Sequence, residues 1–81
     1  MPDPLRIYTT ETCPWCHVAM DWMDEHGIAY RVVDVTSDET LQQELLTLTN
    51  QRRVPVIAAG DRFVIGFKPE EISELAGEPP V

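Results

Sequence analysis

Cys13 and Cys16 are the only cysteines in the chain. They sit in the run Glu11-Thr12-Cys13-Pro14-Trp15-Cys16-His17, a C-x-x-C spacing. Thiols this close either exchange with other disulfides or hold a metal. The neighbours favour exchange. A residue before proline is pushed out of the αR region, and proline suits the first helical position, where its missing N–H costs nothing. Cys13 therefore reads as a helix N-cap, Pro14 as N1, Trp15 as N2 and Cys16 as N3. An N-cap side chain accepts hydrogen bonds from the N2 and N3 amides, and a helix start carries roughly +0.5 of partial charge. Both effects favour a thiolate at Cys13, the nucleophilic form in disulfide exchange. Glu11 and the acidic chain oppose them, so the sequence gives only the direction, a lowered thiol pKa. Cys16, three residues on and on the same face, can close a disulfide after the first attack.

The elements needed to hold this turn are legible around it. Leu5-Arg6-Ile7-Tyr8 reads as a short strand. Pro14 to about His26 reads as a helix with Val18, Ala19, Trp22 and Met23 facing inward, and Gly27 stands where a C′ glycine belongs. Ile28–Val35, rich in β-branched residues, reads as a second strand. Thr36-Ser37-Asp38 offers N-caps for a helix from Glu39 to about Asn50, with Leu41, Leu45, Leu46 and Leu48 as its apolar positions. After a polar loop, Val54–Ala59 and Arg62–Ile65 read as strands joined by a two-residue turn at Gly60-Asp61. Lys68-Pro69-Glu70-Glu71 opens a last helix whose inner face is Ile72, Leu75 and Ala76. The order is β-α-β-α-β-β-α. The first βαβ unit closes right-handed with parallel strands, and a hairpin and helix complete an α/β fold with a four-stranded mixed sheet flanked by helices.

Length and charge narrow the function classes. The 81 residues suffice for one domain, 1–81, with a frayed tail from about Gly77. A hydrophobic share of 43% is ordinary for a soluble chain. A formal net charge of −8 argues against a nucleic-acid surface and against binding an anionic membrane. It fits simple solubility, or partners with a basic docking face. Met1-Pro2-Asp3-Pro4 lacks the cationic and apolar regions of a secretory signal, so a cytoplasmic protein is expected.

The element order, with C-x-x-C at the end of the first strand, resembles the thioredoxin fold. Cys13-Pro14-Trp15-Cys16 with Val54-Pro55 downstream is similar to the glutaredoxin family, from about Arg6 to about Ala76. The resemblance implies a cis bond at Pro55 facing the cysteines. Glutathione-using glutaredoxins carry a lysine three residues before the first cysteine, where this chain has Thr10. They read Thr-Val-Pro where this chain has Arg53-Val54-Pro55. Their Gly-Gly…Asp-Asp element, which holds the γ-glutamyl end of the tripeptide, is replaced by Gly66-Phe67-Lys68-Pro69-Glu70. The Gly66-Phe67-Lys68-Pro69 run instead resembles the NrdH-redoxin branch, although Val64-Ile65 replaces that branch's Trp-Ser and C-P-W-C its usual active-site sequence.

The NrdH resemblance implies a monomeric carrier with no tightly bound cofactor and a redox-active Cys13–Cys16 disulfide. It would be reduced by thioredoxin reductase and pass electrons to ribonucleotide reductase or other disulfide-bearing proteins. Cys13 and Cys16 would be catalytic; Pro14, Trp15, Arg53, Val54, Pro55, Gly66, Phe67 and Lys68 would meet substrate or partner. Glutathione is disfavoured as a co-substrate, and a glutathione-dependent deglutathionylating enzyme is the alternative. A metal-binding C-x-x-C module is the alternative of another class. In small copper chaperones of that kind a methionine usually stands where Glu11 stands here, and the order is β-α-β-β-α-β.

Other residues carry less. His17, next to Cys16, points about 100° away on a helix and suits a surface role. His26 suits the carbonyl end of its helix. Three of the six basic residues, Arg52, Arg53 and Lys68, fall in loops expected around the cysteines, where they either simply hold charge or attract an anionic tail.

Overall fold

The computed structural model describes residues 5–77; apart from Gly77, the tail expected to fray lies outside the described residues. Seven elements follow in order: β1 (Leu5–Thr9), α1 (Pro14–Glu25), β2 (Tyr30–Asp34), α2 (Glu39–Thr49), β3 (Val56–Ala59), β4 (Arg62–Ile65) and α3 (Pro69–Leu75). One mixed sheet has the order β2-β1-β3-β4. β1 runs parallel to β2 and antiparallel to β3, and β3 runs antiparallel to β4. This is the α/β, thioredoxin-like architecture expected from the element order.

The two central strands bury both faces, and alternation decides which residue enters which core. Leu5 and Ile7 of β1 join Ile57 of β3, Val64 of β4, Ala19 and Met23 of α1, and Ile72 and Leu75 of α3. Tyr8 of β1 points the other way, with Val56 and Ala58 of β3, Leu45 of α2 and Val35, which follows β2. Ile7 and Ile57 have no exposed surface, so cutting either to alanine should cost about 2–5 kcal/mol. The hairpin is as short as expected. Ala59 pairs with Arg62 across Gly60-Asp61, and Gly60 has φ +63, a conformation glycine adopts without penalty.

Three element boundaries differ from the sequence expectation for identifiable reasons. Ile28 lies before β2: its N–H bonds the Met23 carbonyl at 2.9 Å while Gly27 N–H bonds that of Asp24 at 3.2 Å. That pair of bonds is a Schellman closure, and it seats Ile28 in the core as an anchor. Val35 lies just past β2, buried, its N–H held by the Thr9 carbonyl at 2.9 Å. β3 begins at Val56, because Pro55 has no N–H for the ladder; its carbonyl still takes the Gly66 N–H at 2.8 Å. One facing is also corrected. Val18 is 41% exposed, since the buried stripe of α1 is Cys16, Ala19 and Met23 and Val18 lies two residues, about 200°, from Cys16.

Candidate active site

The turn between β1 and α1 has the local chemistry its residues dictate. Cys13 caps α1 in extended geometry, φ −99 and ψ 100, and Pro14 occupies the first turn. The Cys13 sulfur accepts the Cys16 N–H at 3.2 Å, the N3 bond expected of a cap. The two cysteines form a disulfide with Cα atoms 5.3 Å apart. Their exposure is unequal. Cys13 retains 8% of its surface and Cys16 none, so Cys13 is the sulfur an incoming molecule can reach.

The loop ahead of Cys13 is braced from β2. Asp34 Oδ1 accepts the Thr36 N–H at 2.8 Å, and the Thr36 hydroxyl accepts the Glu11 N–H at 2.9 Å. Hydrogen bonds from the Thr36 side chain and backbone hold the Asp34 carboxyl below its ordinary pKa. Farther from the cysteines, Tyr8 donates to Glu44 at 2.9 Å. Burial first, and that hydrogen bond second, push its pKa up.

The Val54–Pro55 bond is cis. Pairing of Tyr8 with Val56 puts this bond beside the end of β1, and the groove next to it has a volume of about 280 Å³, lined by Trp15, Val54, Pro55, Gly66 and Phe67. Five residues singled out in the sequence therefore meet in one apolar groove. Phe67 brings an aromatic ring to it. Its ring stacks on Trp15, centroids 6.4 Å apart at 25°, and meets the edge of Trp22 at 6.2 Å. Trp22 in turn stacks on His26 at 4.2 Å, whose Nδ1 lies 2.8 Å from the Trp22 carbonyl oxygen. Trp15 remains 61% exposed. Pro14, Arg53 and Lys68 do not line this groove; Lys68 sits 3.8 Å from Glu71 on the surface.

A second cavity, about 340 Å³, is lined by Thr10, Thr12, Val35, Thr36, Gln42, Leu45 and Arg52. It reaches the residue before Cys13 and carries one cation, Arg52. Gln42, not singled out in the sequence, donates to the Val35 carbonyl at 2.7 Å and the Thr36 carbonyl at 3.3 Å. Its position one turn into α2 gave no chemical signal. His17 is exposed. Among the described residues, no three His, Cys, Asp or Glu side chains gather as a metal cage, and no helix is long and apolar enough to cross a membrane.

Comparison with known proteins agrees with this fold. The family model described as Glutaredoxin matches residues 5–64. The chain is 34% identical over 71 residues to an uncharacterized glutaredoxin-like 8.6 kDa protein in the rubredoxin operon of Clostridium pasteurianum, covering 88% of this chain and 95% of that one. It is 31% identical over 75 residues to the glutaredoxin-like protein NrdH of Escherichia coli K12, with 93% and 91% covered. The solved structure of the Escherichia coli NrdH-redoxin, described as glutaredoxin-like with a thioredoxin-like activity profile, superposes with a TM-score of 0.74 at 30% identity, covering 90% of this chain and 95% of that one.

Proposed function

The chain belongs to the glutaredoxin family of thiol–disulfide oxidoreductases, and on that premise we propose that it reduces protein disulfides by dithiol exchange, recharged by thioredoxin reductase. The Cys13 thiolate attacks one sulfur of a substrate disulfide. A mixed disulfide forms, and the first substrate thiolate leaves and takes a proton. The Cys16 thiolate then attacks the Cys13 sulfur, and the second substrate thiolate leaves. Two electrons have passed to substrate, and the protein is left with the Cys13–Cys16 disulfide. A two-electron reductant restores the dithiol. Ribonucleotide reductase is the first acceptor to try, by similarity to NrdH.

In this reading Trp15 and the Val54–Pro55 turn receive the partner. The Val54 backbone pairs with the substrate main chain as an added strand. Arg53 and Lys68 stand at the margins, and the place of action is the cytoplasm.

The choice of reductant rests on one observation: Phe67 stands after Gly66 and stacks on Trp15 at the groove. A side chain there keeps a ligand from the close backbone approach that a second glycine would allow. One observation favours the rival reading, glutathione-dependent deglutathionylation. The Arg52 cavity beside Thr12 supplies a guanidinium that could receive a carboxylate. The test is NADPH oxidation with a small disulfide in two parallel couplings, one with thioredoxin reductase and one with glutathione and glutathione reductase. Turnover in the first alone is expected. Turnover in the second alone would replace this reading with the rival.

A further inference from the structure

Val54 takes part in no hydrogen bond of its own among the described residues, yet both sides of it are tied down. On the far side, the Pro55 carbonyl accepts the Gly66 N–H at 2.8 Å. On the near side, the tie is a single side chain, Gln51. Its Oε1 accepts the Arg53 N–H at 2.6 Å, and its Nε2 donates to the Arg53 carbonyl at 3.2 Å. The carboxamide thus grips both backbone groups of the residue before Val54, as a neighbouring strand would. Its other Nε2 hydrogen goes to the Thr49 hydroxyl at 3.0 Å. That hydroxyl is anchored in turn: Thr49 is buried, and its Oγ1 lies 2.8 Å from the Leu45 carbonyl oxygen and 3.0 Å from that of Gln51. The carboxamide has two hydrogens to donate, and both are used. Immediately upstream, Asn50 closes α2 in the left-handed region at φ 57 with its N–H on the Leu46 carbonyl at 2.7 Å.

Resting on the reading that Val54 pairs with the substrate main chain, we infer that Gln51 is a positioning residue: its carboxamide holds Arg53 so that the Val54 amide and carbonyl stand free and aligned for an extended peptide. It touches no reacting atom. It relays the rigid end of α2 to the docking edge. Without it, residues 52–54 would have to be ordered at the moment of binding, and each group ordered then costs affinity. The effect belongs to substrates with a main chain on either side of the disulfide. A small disulfide such as that of 2-mercaptoethanol has nothing to pair with Val54.

The test uses the full chain and two substrates, a peptide disulfide and the 2-mercaptoethanol disulfide, with wild type, Gln51→Leu and Gln51→Glu. Leucine keeps the volume and removes all three bonds. Glutamate keeps an acceptor for the Arg53 N–H and loses the donors. Losing hydrogen bonds of ordinary net strength should raise the peptide KM about fivefold in Gln51→Leu and about twofold in Gln51→Glu, with kcat and the small-disulfide KM unchanged. A purely structural role would lower the melting temperature and move both substrates together. Wild type that prefers the peptide, with Gln51→Leu preferring it equally, would overturn the role of Gln51 alone. Wild type with no preference for the peptide would overturn main-chain pairing at Val54, and the inference with it.

Discussion

The two sides of Cys13 are built from opposite materials. On one side lies the Trp15–Val54–Pro55–Gly66–Phe67 groove, apolar, with rings that meet from α1 and from the turn before α3. On the other lies the cavity of three threonines, Gln42 and Arg52, floored by Val35 and Leu45. The first gains from contact with broad apolar surface, because a 61% exposed indole loses water only when a partner covers it. The second offers hydroxyls and one guanidinium, which suits a small anionic end. The same nucleophile could thus meet a protein from one side and a charged tail from the other.

The largest effect should come from the part common to both sides. Cys13→Ser should abolish disulfide reduction in every coupling. Cys16→Ser should accumulate a mixed disulfide on Cys13, seen by intact mass and released by dithiothreitol. Activity near wild type in Cys13→Ser would end the assignment of the nucleophile. On the apolar side, Trp15→Ala should raise KM for a protein partner about tenfold, as for an interface anchor. Because the indole is mostly exposed, the melting temperature should fall by less than about 4 °C. A large drop in melting temperature with unchanged KM would make Trp15 a structural residue. On the polar side, Arg52→Gln should raise KM for an acidic peptide disulfide about two- to threefold at low salt, the difference vanishing near 0.5 M NaCl as screening shortens to a few ångströms. An effect that persists in salt would require a contact other than charge.

The smallest effect concerns the brace between β2 and the cysteine loop. The Asp34 carboxyl has a folded-state pKa below its ordinary value of 3.8. Such a group stabilises the fold fully above that ordinary value, and its contribution is lost as pH falls through the lower folded value. Denaturant midpoints of wild type and Asp34→Asn should therefore differ at neutral pH and converge below pH 3.8. A difference that stays constant with pH would mean the carboxylate charge is irrelevant there.

Much of this was legible because the controlling signals are local. Cys13-Pro14, Asp38 and Pro69 announce helix starts by backbone restriction and side-chain capping, and Gly60-Asp61 announces a hairpin by its φ requirement. The roles proposed for the cysteines are read from Cys13 preceding Pro14 at a helix start, with Cys16 three residues on. The differences have two causes. Ile28 and Val35 look like strand residues because β-branched apolar side chains also serve as core anchors at helix ends and loops. Val18 looks inward by its hydrophobicity, but the fully buried Cys16 sets the stripe that faces the core. What no local rule reveals is the meeting of distant side chains. Phe67 was singled out as a missing glycine, but its seat between Trp15 and Trp22 depends on how α1 and the β4–α3 turn pack. Gln42 and Gln51 are ordinary polar helix and loop residues until the backbone groups they serve are in place.

The claim that Phe67 closes the apolar side to glutathione is tested most directly by the ratio of turnover in the two NADPH couplings, measured for wild type and Phe67→Gly side by side. The expected result is a wild type driven by thioredoxin reductase and a Phe67→Gly protein that gains turnover with glutathione by about tenfold while losing some with the reductase. An unchanged ratio in a folded Phe67→Gly protein would contradict the account and move the choice of reductant to the Arg52 side.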